Sequence, residues 1–401
     1  IDAGVAAGLA SNVIQADMCN LGGVAPIMIR KSNSKKVWSI SGVGHWSNSI
    51  SLRDYKNKYG NDIPEGAPSC VIPAALDSWT TALSKFGTMS FSQVASDAIH
   101  YAEEGFPLDL RSAKALELMG NTFKKWNSSK KIYWPEGRAP KTGEFIKQRD
   151  LANLLKYICS KEKGINRIDD IENVRKGFYT GKIAKKIISW VKEGGGWMTL
   201  DDLSKFRNQV YLAPSYNYKG WQVFTSDTYS QGPVLLQALS ILNGFNLKDL
   251  KHNSSKYIHL LTETLKIAFS EREKYYGDNN PNKNILDELL NVNYIKKLRS
   301  LINFNCAQKD LPTLNINENY FRKKDTTYFS IIDKKGNAFS CSPSDTIDGN
   351  PIVEGLGIII SPRGIQSRLE NSHPASIGPG FRPRLTPAPS IAIFNKSKSF
   401  N

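Results

Sequence analysis

Few residues in this chain are arranged to do chemistry. The phosphate-cradling pattern GxxxxGKS/T, the dinucleotide pattern GxGxxG after a strand, the zinc pattern HExxH and the elbow GxSxG do not occur. The histidines His45, His100, His252, His259 and His373 show no metal-ligand spacing, and His100 and His259 fall on expected helices. SxxK matches at Ser32–Lys35 and Ser128–Lys131 lie in polar loops, as chance would place them, and Glu103-Glu104 ends a helix where charge meets solvent. One arrangement remains. Asp325-Thr326-Thr327-Tyr328 stands where a long polar loop enters a strand, and a Gly-Asn turn and the hydroxyl-rich stretch Ser340–Thr346 follow it. Threonine and tyrosine are also good strand formers, so pattern alone leaves a catalytic and a purely structural reading open.

The elements that must position this stretch are legible in outline. Ala3–Gln15 reads as a small-residue helix packed close to another element, and Asn20–Gly23 as a turn with Gly22 and Gly23 available for positive φ. Pro26–Arg30 and Lys36–Ile40 read as a hairpin around the turn-rich Lys31–Ser34. Phe91, Val94, Ala95, Ala98, Ile99 and Ala102 recur at helical spacing up to a stop at Gly105. Further helices are expected over Tyr179–Glu193, Gly232–Leu242 and Ser255–Tyr275, the last with Ile258, Leu261, Leu265 and Phe269 on one stripe. Thr199 with Asp202 forms an N-cap pair, and Trp221–Thr225 reads as a strand. Asn303–Asp325 is polar and aperiodic, an expected exposed, mobile loop, and the chain beyond it turns to strands: Thr326–Asp333, Ala338–Ser342, Leu356–Ser361 and Ser390–Phe394.

Composition bounds the class. The chain has 401 residues with 40% hydrophobic and 22% charged, which excludes a disordered polymer. No apolar run approaches the roughly 18 residues of a membrane span. Lys+Arg exceeds Asp+Glu by 53 to 37, a net charge of +16, but the lysines are dispersed and no basic stripe interleaved with aromatics appears. The excess therefore reads as a solvated surface rather than a nucleic-acid footprint. Cys19, Cys70, Cys159, Cys306 and Cys341 are scattered, without CxxC, which argues against a disulfide framework or structural zinc and leans toward a reducing, cytoplasmic compartment. The start IDAGVAAGLASN lacks an initiator Met and a basic leader, so it reads as a fragment and leaves a periplasmic setting open.

Four segments, in order, carry a family resemblance. DAGVAAGLASNVIQADMCNLGG (residues 2–23), TTALSKFGTMSFSQVASDAIHYAEEGFPL (Thr80–Leu108), SQGPVLLQALSILNGF (Ser230–Phe245) and DTTYFSIIDKKGNAFS (Asp325–Ser340) resemble the γ-glutamyltranspeptidases collinearly over roughly residues 2–395. The resemblance implies an α+β fold, the four-layer αββα sandwich of N-terminal-nucleophile hydrolases, incomplete here. It implies a precursor cut between Asp325 and Thr326 into large (1–325) and small (326–401, its N-terminal part) subunits. Thr326 is then the nucleophile, and its freed α-amine, with an ordinary pKa of about 7.7–8.0, the base. Ser344 matches the family hydroxyl that bonds the nucleophile, and Thr327 follows it as in the family. The implied activity is amide cleavage through an acyl-Thr326 ester, with transfer to water or an amine and with no metal or cofactor. The implied partners are a small-molecule amide or γ-glutamyl-like substrate and the two subunits of one precursor.

The sequence also departs from the family. The loop Ser41-Gly42-Val43-Gly44-His45-Trp46 lacks the arginine that grips a glutamyl α-carboxylate, the acid that pairs with the α-ammonium aligns near Gln366, and the serine pair aligns with Leu385 and Thr386. Charge pairing normally holds a zwitterionic head group, so the expected acyl group is not glutamyl. Arg363, with Thr346 nearby, is the candidate replacement cation for a substrate carboxylate. The chain ends before the family's Gly-Gly oxyanion segment, whose loss costs two to three orders of magnitude in kcat, so reduced activity is expected. A true γ-glutamyltransferase or glutathione hydrolase, and an inactive relative serving as a binding or structural protein, are the alternatives.

Overall fold

The computed structural model describes residues 1–309 and 326–394. Asp325 and most of the expected mobile loop lie outside the described residues. The described start of that loop carries no helix or strand, and the Gln308 amide donates to Glu263 Oε2 at 3.1 Å.

The strands of the two larger sheets are β1 (Ile27–Arg30), β2 (Val37–Ile40), β3 (Val210–Leu212), β4 (Ser215–Tyr218), β5 (Trp221–Thr225), β6 (Phe329–Ile332), β7 (Ala338–Cys341) and β8 (Ser390–Phe394). An antiparallel five-stranded sheet runs β3-β2-β1-β7-β6, and a second runs β8-β5-β4. The expected hairpin of β1 and β2 is present, with Ile27 opposite Ile40. Its outer neighbour β7 comes from beyond residue 326, so the late strands complete a sheet begun by the early ones.

The period-2 pattern of β1 fixes the layers. Ile27 and Ile29 join Phe339 and Cys341 against a helical core, whereas Met28, Val37 and Ala213 face Phe224, Ile391 and Ile393 of the second sheet. The helical layer comprises α1 (Asp2–Ile14), α2 (Ala75–Phe86), α3 (Phe91–Glu104), α4 (Arg149–Cys159), α5 (Arg167–Tyr179) and α6 (Gly181–Glu193). On the far side, α7 (Gly232–Leu242) packs on β4 and β5, and α8 (Ser255–Tyr275) packs on α7. Helix, sheet, sheet, helix is the expected αββα sandwich. Close approach explains the small residues of α1: a Cβ on Gly8 would lie 2.5 Å from the Trp79 ring.

The helix expected over about Tyr179–Glu193 is α6, which starts on Gly181 at φ +66° because extended Thr180 separates it from α5. The strand expected over Leu356–Ser361 does not form; Ile358 makes only an isolated bridge to Val353. The stripe through Ile258, Leu265 and Phe269 is exposed on α8. Ile258 is 51% and Phe269 44% exposed, while Leu260, Thr264, Ile267 and Ala268 face inward. The helical period is right, but apolar residues occur on both faces, and the smaller ones suit the close contact with α7. No helix among the described residues is long and apolar enough to cross a membrane.

Candidate active site

A tight turn brings the hydroxyls together. Gly336 adopts φ +83° in the β6–β7 turn, and Asp333 Oδ1 accepts the amides of Lys335 and Asn337 at 2.9 Å each. That turn sets a register with Phe329 opposite Cys341. Continued past the strand ends, the same register places Thr326 opposite Ser344 as an isolated antiparallel bridge. Thr326 Oγ1 and Ser344 Oγ are 2.9 Å apart, and the Thr327 amide donates to Pro343 O at 3.3 Å. Ser344 is held from its other side, where its amide donates to Val24 O at 2.9 Å. The sequence reading thus brings its two principal residues into contact.

Arg363 is misread as a cation facing substrate. It is 1% exposed, its Nε pairs with Asp345 Oδ1, and its Nη2 donates to Ser344 Oγ. Ser361 Oγ donates to the other Asp345 oxygen at 2.6 Å. Asp345 holds φ +84°, a region that non-glycine residues enter at a cost. The reading missed Asp345 altogether. No sequence signal links it to Arg363, which lies 18 positions further on, and Asp348 is a second acid in the same stretch.

The remaining candidates divide. Thr346 is buried in the same loop and donates to Asp348 Oδ1, which occupies its hydroxyl proton. Gln366 ends the 3-10 turn Arg363–Gln366, and its Oε1 is buried without a partner. Leu385 is wholly buried with Val24, Val43 and Tyr229, so its apolar side chain offers no hydrogen bond to a ligand, and only its amide donates, to Tyr229 O at 2.7 Å. Thr386 beside it is exposed.

Packing, not torsion, explains the glycines of the early turn. Neither Gly22 nor Gly23 has positive φ. A Cβ on Gly22 would lie 1.9 Å from Ile359 O, and one on Gly23 would lie 2.4 Å from Ser344 O. The arginine-free loop Ser41–Trp46 also turns inward. The buried Trp46 donates its indole N–H to Ser367 Oγ at 2.9 Å, and its ring lies against Gly364, next to Arg363.

A cavity of about 510 Å³ opens beyond the Val24–Leu385 cluster, lined by Gln209, Val210, Tyr211, Asp227, Tyr229 and Arg382. Tyr211 donates to Tyr229 Oη at 2.8 Å, and burial pushes both phenols above their ordinary range. Arg382 is tied to Asp278 at 2.7 Å and caps the Tyr229 ring at 4.4 Å.

The family model for gamma-glutamyltranspeptidase matches residues 1–400. The chain belongs to the γ-glutamyltranspeptidase family. Among relatives of this γ-glutamyltranspeptidase-family chain, the glutathione hydrolase-like YwrD proenzyme of Bacillus subtilis is 28% identical over 97% of this chain and 71% of its own. The glutathione hydrolase proenzyme of Escherichia coli K12 is 28% identical over 98% of this chain and 69% of its own. The crystal structure of cephalosporin acylase from Bacillus halodurans superposes with a TM-score of 0.83 at 25% identity, covering 98% of this chain and 70% of that one. The family chemistry is amide hydrolysis and acyl transfer by N-terminal-nucleophile enzymes made as proenzymes, and this chain is an enzyme of that type.

Proposed function

We propose that Thr326 is the nucleophile of a self-processing threonine amidohydrolase or acyltransferase whose acyl group is not glutamyl. The contact of Thr326 Oγ1 with Ser344 Oγ carries the reading. In processing, Thr326 Oγ attacks the carbonyl of Asp325, the C–N bond breaks as an ester C–O bond forms, and the hydroxyl proton passes to the released amine. Water then hydrolyses the ester, leaving 1–325 as large subunit and a small subunit that starts at Thr326. The freed amine takes the Thr326 proton in each later turnover, and the acyl-Thr326 ester passes to water or to an amine.

The acyl preference follows from what lines the site. The loop that turns inward through Trp46 carries no arginine, and Leu385 is packed in an apolar cluster, so neither meets a charged head group. Denaturing mass spectrometry of the expressed protein tests the nucleophile. The expected result is two fragments, the smaller starting at Thr326, and one intact chain for Thr326→Ala. An uncut wild-type chain overturns the proposal, and efficient turnover of γ-glutamyl-p-nitroanilide overturns the acyl assignment.

A further inference from the structure

We infer that Arg363 is a positioning residue for Thr326, acting through Ser344 and held in place by Asp345. The inference rests on Thr326 being the nucleophile.

A guanidinium only donates, whereas a hydroxyl has one proton and two lone pairs. The Arg363 Nη2–H therefore occupies a lone pair of Ser344 Oγ. A hydroxyl that accepts from a cation becomes a better donor. That bond fixes Ser344 Oγ beside Thr326 Oγ1, 2.9 Å away. As the Thr326 hydroxyl gives up its proton, negative charge grows on Oγ1, next to a hydroxyl already polarised by the guanidinium. Arg363 does not touch Oγ1; it sets the hydroxyl that does.

The surroundings aim this one donor. Asp345 takes Nε on one carboxylate oxygen and Ser361 Oγ on the other, so the guanidinium plane is fixed. Asp345 itself is held at φ +84°, which its neighbours must enforce, and Gly23 lets the early turn press against Ser344 O and Asp345 Cβ. From the other side, Gly364 admits the Trp46 ring at a distance where a Cβ would stand 2.4 Å away. A pair kept only for stability would have its donors filled, yet Arg363 Nη1 is buried with no hydrogen-bond partner.

The test follows self-cleavage of the full chain by denaturing mass spectrometry across pH 5–9, in wild type, Arg363→Lys, Ser344→Ala and the double variant. Lysine keeps the charge beside Asp345 but cannot span both partners. The expected slowing is about ten- to hundredfold for Arg363→Lys, the scale of one hydrogen bond from a charged donor. The double variant should be within about twofold of Ser344→Ala alone, because Arg363 works only through that hydroxyl. Asp345→Asn, which preserves shape and loosens the guanidinium, forms a second cycle with the same expected non-additivity should Arg363→Lys fail to fold. Effects that multiply, or Arg363→Lys cleaving at the wild-type rate, overturn the inference while leaving Thr326 as nucleophile. An uncut wild type overturns both.

Discussion

Among the described residues, two arginine–aspartate pairs are buried on both sides, and they are built differently. Arg175–Asp77 joins α5 to α2 in the helical layer, with both side chains at 3% exposure or less. Its spare groups are spent on the backbone: Arg175 Nη2 donates to Phe206 O, and Asp77 Oδ2 accepts the Asn208 amide at 2.7 Å. The Arg175 guanidinium also stacks on Tyr179 at 4.7 Å. Arg363–Asp345 is as deeply buried, yet its arginine spends a donor on the side-chain hydroxyl beside Thr326, leaves Nη1 unpartnered and sits on an aspartate at positive φ. The first pair leaves no buried side-chain atom unpartnered and has no residue at positive φ; the second pair has one of each. Natural chains tolerate such local costs where chemistry needs a group held in place.

The largest expected effect comes from breaking the Arg175–Asp77 pair. Arg175→Met strands Asp77 as an uncompensated buried charge, which costs about 3–5 kcal/mol. The denaturation midpoint should fall accordingly, while the protein that remains folded should self-cleave at the wild-type rate. If its self-cleavage slowed as much as that of Arg363→Lys, the two pairs would not differ in kind.

A third node lies between these extremes. Glu273 accepts from Arg368 at 3.1 Å, from the deeply buried Arg384 and from His373 at 3.1 Å. His373 Nδ1 accepts the Ala375 amide at 3.0 Å, so Nε2 carries the proton that reaches Glu273. Burial pushes the Glu273 carboxyl up, but the His373 hydrogen bond and the Arg384 and Arg368 charges outweigh it and hold the group well below the ordinary carboxylate range. A depressed carboxyl contributes stability above its unfolded pKa, near 4.5, and loses it as pH falls toward the folded value. Wild-type stability should therefore decline below about pH 4.5, and Glu273→Gln should flatten that decline while lowering the midpoint at pH 7 by less than Arg175→Met does. An unchanged acid slope would show that the node, like a solvated surface pair, contributes nothing.

The same contrast marks what could be read from the chain. Helices α3, α7 and α8, the β1–β2 hairpin and the Gly-Asn turn follow from spacing and local turn chemistry, and the turn's register alone sets Thr326 opposite Ser344. The two pairs were not legible, because each joins residues far apart in sequence: 98 positions for Arg175 and Asp77, 18 for Arg363 and Asp345. Period places Ile258, Leu265 and Phe269 on one face of α8 but does not say which of two apolar stripes meets a neighbour. Gly22 and Gly23 were assigned to torsional freedom for a related reason. Tight contact with Ile359 O and Ser344 O is a tertiary fact.

The smallest effect is expected at the edge of the site, where adjacent residues part ways. Leu385 is packed against Val24 and Tyr229, while Thr386 faces solvent. An exposed threonine without a structural bond contributes within about 0.5 kcal/mol. Thr386→Ala should leave both the denaturation midpoint and the self-cleavage rate unchanged, which separates it from Arg175 on the first readout and from Arg363 on the second. Turnover adds a finer discriminator. If γ-glutamyl-p-nitroanilide is a substrate and Thr386→Ala raises its KM with kcat unchanged, that hydroxyl binds ground state and transition state alike. Such a result would return the site to a glutamyl head group, held by Thr386 without help from its buried neighbour.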